Sequence, residues 1–212
     1  MTKRTEIEVA ILAGGSSTRF RGEKPFVQFE SRPMLDIMIG IARRLSHLCT
    51  VVVSDEKQAR TVEERTTGVQ VAVDPRDAPR CALTGALTAF EYSRAKYLLL
   101  LPVDTPLANP DLLEVIADLC PGHHAVVPKW PSGQLEPLHA SYLSEYAYAT
   151  GLKVMESGKT RMQDLLESMK KVLYVSTNAL TCFDPELLTF RNINTVSDLY
   201  ELEKKIASGR PH

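Results

Sequence analysis

Residues 11–24 read Ile-Leu-Ala-Gly-Gly-Ser-Ser-Thr-Arg-Phe-Arg-Gly-Glu-Lys, the densest concentration of potential chemistry in the chain. The apolar run Ile7 to Leu12 reads as a buried strand that stops abruptly at Ala13-Gly14-Gly15. A loop follows, carrying Arg19, Arg21 and Lys24. Glycine tolerates φ > 0 and lets another group approach the backbone closely. Consecutive amides in such a turn can form a concavity of N–H donors that binds anions. The cations that follow supply charge for a polyphosphate. An ordinary tight turn with solvated basic side chains is the alternative; the strand before the loop and the ordered cations after it favour the phosphate site.

Two aspartates are the other candidates. Asp104 lies in Leu101-Pro102-Val103-Asp104-Thr105-Pro106, just past the apolar run Leu98–Leu101. A carboxylate beyond the end of a buried strand can hold Mg²⁺ on a substrate phosphate, because Mg²⁺ takes one or two carboxylates and completes its shell with phosphate oxygens. A turn or helix-capping aspartate is the competing reading, since Asp and Pro both favour turns. Asp74 follows Val71-Ala72-Val73 in the same manner.

These groups meet only if the strands that carry them lie side by side, and the chain pattern predicts that they do. Met34, Leu35, Met38, Ile41, Ala42 and Leu45 repeat at helical spacing. Cys49–Val53 and Val69–Val73 read as strands with a polar helix over 56–65 between them. Ala82–Tyr92 reads as a helix, Tyr97–Leu101 as a fully buried strand and Asp111–Leu119 as a helix. Alternation of this kind with continuous apolar strands predicts an α/β fold, a mostly parallel sheet with helices on both faces. Ligands of such sheets sit outside the carboxyl ends of the strands, where strand order reverses. Beyond residue 121, strands are expected over His124–Pro128 and Leu135–Tyr142, helices around 143–157 and 161–169, and a strand over Lys171–Val175. Thr195-Val196-Ser197-Asp198 has capping-box form ahead of an amphipathic last helix.

The spacing of the first loop fits neither the P-loop G-x-x-x-x-G-K-[ST] nor the dinucleotide fingerprint G-x-G-x-x-G. It resembles the L-A-G-G-x-x-x-R-[MF]-G-x-x-K loop of the molybdenum cofactor guanylyltransferase family. Leu12, Ala13, Gly14, Gly15, Arg19, Phe20 and Lys24 fall on that pattern, while Arg21 replaces its glycine. Asp104-Thr105-Pro106 is similar to the family's metal-binding D-[TM]-P, and Asp74 stands where the family's aspartate contacts the nucleotide. Leu83 and Gly85 are retained from its G-P-L-x-G; Asn192-Ile193-Asn194-Thr195 matches its N-[IV]-N-T. Glu136-Pro137-Leu138-His139-Ala140 resembles its H-P-L-x-A with glutamate in the first place.

The resemblance covers nearly the whole chain. It implies a single Rossmann-like nucleotidyltransferase domain, residues 1–120 binding nucleotide and 121–212 the acceptor, with a small β element in the second half. It also implies transfer of GMP from GTP to the phosphate of molybdopterin, with release of pyrophosphate. Asp104 would hold Mg²⁺, and Lys24 and Arg19 would neutralise the triphosphate. The Gly14 and Gly15 amides would cradle that triphosphate, while Asp74 would serve as base or ribose contact. Leu12, Ala13, Leu83 and Gly85 would join the nucleotide site, and Asn192 and Asn194 would face the acceptor. Molybdoenzyme apo-proteins or their chaperones are expected partners. Relatives with similar loops act on adenosylcobinamide phosphate or sugar phosphates, or use CTP. From another class comes a non-catalytic GTP-binding protein that delivers cofactor; retention of both Lys24 and Asp104 argues against it.

Composition excludes other roles. With 25 Lys and Arg against 26 Asp and Glu, net charge is −1, which argues against a surface that coats nucleic acid or adsorbs to membranes. No apolar stretch approaches the ~20 residues that span a bilayer, and the polar start leaves no room for a signal peptide, so a cytoplasmic protein is expected. Cys49, Cys81, Cys120 and Cys182 are scattered without a C-x-x-C pair and read as free thiols. His123-His124 lacks further ligands at metal-binding spacing and reads as surface or strand-edge histidines.

Overall fold

The computed structural model describes residues 6–14 and 24–209. In chain order its elements are β1 (Ile7–Leu12), β2 (Gln28–Phe29), β3 (Arg32–Pro33), α1 (Met34–Leu45), β4 (Cys49–Val53), α2 (Glu56–Arg65), β5 (Gln70–Val73), α3 (Ala82–Glu91), β6 (Tyr97–Pro102) and α4 (Pro110–Asp118). The second half adds β7 (Ala125–Lys129), β8 (Ser141–Leu143), α5 (Ser144–Glu156), α6 (Met162–Ser168), β9 (Val172–Ser176), α7 (Thr177–Leu180) and α8 (Val196–Gly209). Among the described residues, seven strands form one sheet in the order β5-β4-β1-β6-β8-β7-β9. Every ladder is parallel except the two made by β8.

Side chains alternate across a strand, and here both faces are covered. Val9, Ile11, Val51, Val53, Leu99 and Leu101 pack with α1, α2 and α4, whereas Ala10, Val52, Leu98 and Leu100 pack with α3, α5 and α6. That explains why β6 reads as an unbroken apolar run, and β1 and β4 as apolar runs interrupted only by Glu8 and Thr50. From β1 the chain winds outward through β4 to β5, then returns to place β6 on the other side of β1. Strand order therefore reverses between β1 and β6. Their ladder pairs Leu12 with Pro102, so the two strands end at the same height.

Three segments differ from the sequence expectation. Within Leu135–Tyr142 only the last residues join a strand; Leu135 makes a single bridge to Lys129, and the His139 amide closes a turn on the Glu136 carbonyl. Pro137 has no N–H to give a ladder, which favours the turn. The β segments of the second half extend the central sheet as β8-β7-β9. A separate two-stranded hairpin, β2–β3, arises instead in the first half, turning through Glu30 and Ser31 at φ 47° and 65°. Left-handed residues suit such a turn, but Glu-Ser carries none of the usual Asn-Gly signal.

Glu8 is fully buried in β1, at the end of the sheet opposite the strand termini just described. Its carboxylate accepts hydrogen bonds from Thr50 Oγ1 at 2.6 Å and the Arg94 amide at 2.7 Å, which ties β1 to β4 and to the turn before β6. Truncation strands both donors. Glu8→Ala should lower unfolding free energy by about 3 kcal/mol, read from urea denaturation; a loss within experimental error would show that the carboxylate does not hold these strands.

Candidate active site

The carboxyl ends of the parallel strands open into a cleft of about 820 Å³. Leu12 and Gly14 line it from β1, Ser54 from β4, Asp74 from β5 and Asp104 from β6. The Gly85 backbone reaches it from the first turns of α3.

Lys24, in the short 3₁₀ turn Lys24–Phe26, lies at the centre of the polar contacts. Its Nζ donates to Asp104 Oδ2 at 2.5 Å and to Asn194 Oδ1 at 2.9 Å. Asp104 is 8% exposed, and its second oxygen, Oδ1, is buried without a hydrogen-bond partner among the described residues. The Asp104 carbonyl accepts from the Ile193 amide at 2.8 Å. Ile193 is buried against Phe29, Met34 and Leu202, and Asp198 Oδ2 accepts from the Asn194 and Thr195 amides. Those amides hold the Asp198 carboxyl below its usual range. The expected capping box is complete, since the Asp198 amide donates back to Thr195 Oγ1.

Asp74 faces the same cleft. Its Oδ1 accepts from Thr88 Oγ1 at 2.7 Å. Burial raises its carboxyl above the ordinary value, a rise that the Thr88 hydrogen bond partly offsets. Gly14 has a steric reason to be glycine: a Cβ there would stand 2.7 Å from Ser54 Oγ and 3.4 Å from Asp74 Oδ2.

The cleft thus brings together Leu12, Gly14, Lys24, Asp74, Gly85 and Asp104, with Asn194 joined through Lys24. Other candidates lie elsewhere. The Ala13 and Gly14 amides both donate to the Val52 carbonyl, so Gly14 does not offer its N–H as a phosphate cradle; the parallel pairing of β1 with β4 continues one step past Leu12 and takes it up. Ala13 is itself a core residue. Leu83 is fully buried under the sheet and does not line the cleft, because its position on α3 faces the strands. Asn192 is exposed and is not among the residues that line the cleft. Gly15, Arg19, Phe20 and Arg21 lie outside the described residues.

Sequence reasoning missed Ser54, Lys57, Arg76 and Arg80, which also line the cleft. Their signal was position: Ser54 directly follows β4 as Asp74 follows β5, Lys57 stands in the first turn of α2, and Arg76 and Arg80 lie in the connection from β5 to α3.

The donor set fits Mg²⁺ shared with a phosphate. No group of three or more His, Cys, Asp or Glu side chains able to hold a metal exists among the described residues, so a wholly protein-built cage is absent there. What exists is one carboxylate with one oxygen held by lysine and the other without a hydrogen-bond partner among the described residues, a set that phosphate oxygens and water would complete. All four cysteines are free; Cys81 lines the cleft beside Thr84, while burial pushes Cys49 up to about 12 and Cys120 up to about 11.

Comparison with known proteins agrees with this geometry. Residues 9–172 match the model of the MobA-like NTP transferase domain. A Methanosarcina mazei protein named "Probable molybdenum cofactor guanylyltransferase" is 30% identical over 93% of this chain and 90% of its own. A protein of the same name from Methanothermobacter thermautotrophicus is 31% identical over 90% and 96%. The crystal structure of molybdopterin-guanine dinucleotide biosynthesis protein A from Archaeoglobus fulgidus superposes with a TM-score of 0.81 at 26% identity, covering 95% of this chain and 99% of that one. Gly14 and Lys24 lining one cleft, an aspartate at the strand-order reversal and a match over most of the chain lead to one assignment: the chain belongs to the MobA-like NTP transferase family.

Proposed function

We propose that this protein is a molybdenum cofactor guanylyltransferase, which transfers GMP from GTP to the phosphate of molybdopterin. The observation that carries the reading is the Lys24–Asp104 pair, 2.5 Å apart in the strand-end cleft, with Asp104 Oδ1 left without a hydrogen-bond partner among the described residues. An oxygen of the acceptor phosphate attacks the α-phosphorus of GTP. The bond from that phosphorus to the α,β-bridging oxygen breaks, and pyrophosphate leaves with the electron pair. No covalent protein intermediate is needed, because positioning and charge neutralisation do most of the catalysis in such transfers.

Asp104 would hold Mg²⁺ through Oδ1. When bound, Mg²⁺ neutralises charge developing on the phosphates. Lys24 has three donors, two of them engaged by Asp104 and Asn194, and the third would serve a phosphate oxygen. Asp74 would contact the nucleotide from β5, and Arg76 and Arg80 add positive charge along the same wall. Residues 1–120 then serve the nucleotide and residues 121–212 the acceptor, with Asn194 at the boundary. Molybdoenzyme apo-proteins or their chaperones would receive the product in the cytoplasm.

Pyrophosphate release measured across GTP, CTP and ATP, with molybdopterin or adenosylcobinamide phosphate as acceptor, tests this function. GTP with molybdopterin should be the preferred pair, because a pocket that hydrogen-bonds one base edge leaves polar groups unpaired with another. Comparable rates with CTP would count against it. Asp104→Asn should lower kcat by about 100-fold or more, with thermal unfolding close to the parent protein's. Near-normal turnover would remove Asp104 from the mechanism.

Asp74 gives a pH-dependent test. Because its folded-state carboxyl titrates above the ordinary value, the folded chain holds this proton more tightly than the unfolded chain does. That advantage is full below the unfolded value and is lost as pH rises through the folded one. Asp74→Asn keeps a neutral acceptor for Thr88, so the ligand-free variant should melt higher than the parent at pH 7. The gap should close toward pH 4, and GTP should stabilise the variant less. A lower melting temperature at pH 7 would contradict the burial argument.

A further inference from the structure

We propose that His139 is a positioning residue for the Lys24–Asp104 pair, acting through Thr105 and Phe190; the proposal rests on reading Asp104 as the metal carboxylate. His139 is 2% exposed, and separate parts of the chain converge on its ring. Nε2 lies 3.2 Å from Thr105 Oγ1. Thr105 follows Asp104 directly and is fully buried, and its hydroxyl donates to the Pro102 carbonyl at 3.2 Å. Oγ1 is thereby left to accept, which assigns the shared proton to His139 Nε2.

The second contact is with Phe190, whose ring meets that of His139 edge-on at 5.2 Å and 90°. Phe190 closes a 3₁₀ turn that leads straight into Ile193, which holds the Asp104 carbonyl, and Asn194, which holds Lys24. Glu136 makes the third: its Oε2 stands 3.8 Å from His139 Nδ1, while Oε1 accepts from Trp130 Nε1 at 2.7 Å. Trp130 in turn packs edge-on against Phe190 at 5.8 Å. The Leu100 amide, donating to the Ala140 carbonyl, fixes this segment against β6.

Both supports of the Lys24–Asp104 pair therefore bear on one buried ring. A planar imidazole can give an N–H to Thr105 while presenting its edge or face to Phe190, which an aliphatic side chain cannot. Groups that orient a ligand-bearing residue in this way typically change metal affinity or activity by roughly 10- to 100-fold when lost.

The test compares Mn²⁺ binding in the presence of GTP, read by electron paramagnetic resonance, with kcat and KM for GTP. It uses His139→Ala, His139→Gln, Thr105→Val, Thr105→Ser and the His139→Ala/Thr105→Val double variant. Loss of either partner should weaken Mn²⁺ binding and lower kcat by roughly 10- to 100-fold, with KM for GTP near the parent value. The double variant should be no worse than the poorer single one. Gln and Ser, which retain the donor and the acceptor, should recover most of the loss. Should His139→Ala fail to fold, the contrast between Thr105→Val and Thr105→Ser decides. Parent-like Mn²⁺ affinity and kcat in His139→Ala or Thr105→Val, or multiplicative losses in the double variant, would overturn the proposal while leaving the Asp104 assignment standing. Undiminished Mn²⁺ binding in Asp104→Asn would overturn that assignment, and the role of His139 with it.

Discussion

The parallel ladder between β1 and β6 pairs Ile7 with Tyr97 and Leu12 with Pro102, so two strands from distant parts of the chain end together. Everything polar in the cleft hangs from that alignment. Gly14 lines the cleft just past Leu12, Lys24 lines it too, and past Pro102 the chain turns at Asp104. The two side chains meet because their strands are neighbours and in register. The Val103 amide, donating to the Leu12 carbonyl, carries the register one residue beyond the strands. A slip of one residue would turn alternate side chains to the opposite face, taking Val9 and Ile11 from one core and Ala10 from the other.

The site also concentrates unfavourable local terms. Asp104 buries an oxygen without a hydrogen bond among the described residues, and Asp74 is ionised only against the cost of its burial. Unpaired buried polar groups and desolvated carboxylates each oppose folding. Two apolar layers and the Glu8 cluster at the opposite end of the sheet supply the rigidity that keeps these groups in place. Such a division suits a catalyst whose work is electrostatic, since charged groups already in position need little reorganisation when a triphosphate arrives.

The segment from Phe190 to Asp198 shows how distant sequence builds a site. Ile193 anchors it in a small core with Phe29, Met34 and Leu202, the capping box of α8 fixes its end, and Asn194 is delivered to Lys24. The hairpin β2–β3 helps to build that core through Phe29, and its turn is pinned by Glu203 of α8 accepting from the Glu30 amide. First and last parts of the chain thus enclose the central pair together.

Much of this was legible in the residues. Apolar runs broken only by Glu8 and Thr50 marked β1, β4 and β6, helical spacing marked α1, and the residues at strand ends pointed to Gly14, Asp74 and Asp104, because burial on both faces writes itself into local composition. Other features had no local trace. Leu83 looked like part of a nucleotide motif and is core, since the face a helix buries depends on which sheet it meets. The Gly14 amide looked available and is bonded to Val52, a partner chosen by strand pairing. The Leu135–Tyr142 run looked like a strand and is mostly turn, and the Glu30-Ser31 turn gave no signal at all. Nothing near His139 in sequence shows that it touches Thr105 and Phe190. Sequence determined most of the strands and helices and which residues carry charge at their ends, because those follow from periodicity and chemistry within a few residues. Only the tertiary structure decided which polar groups are satisfied, which are left open and which meet, because those depend on contacts between segments far apart along the chain.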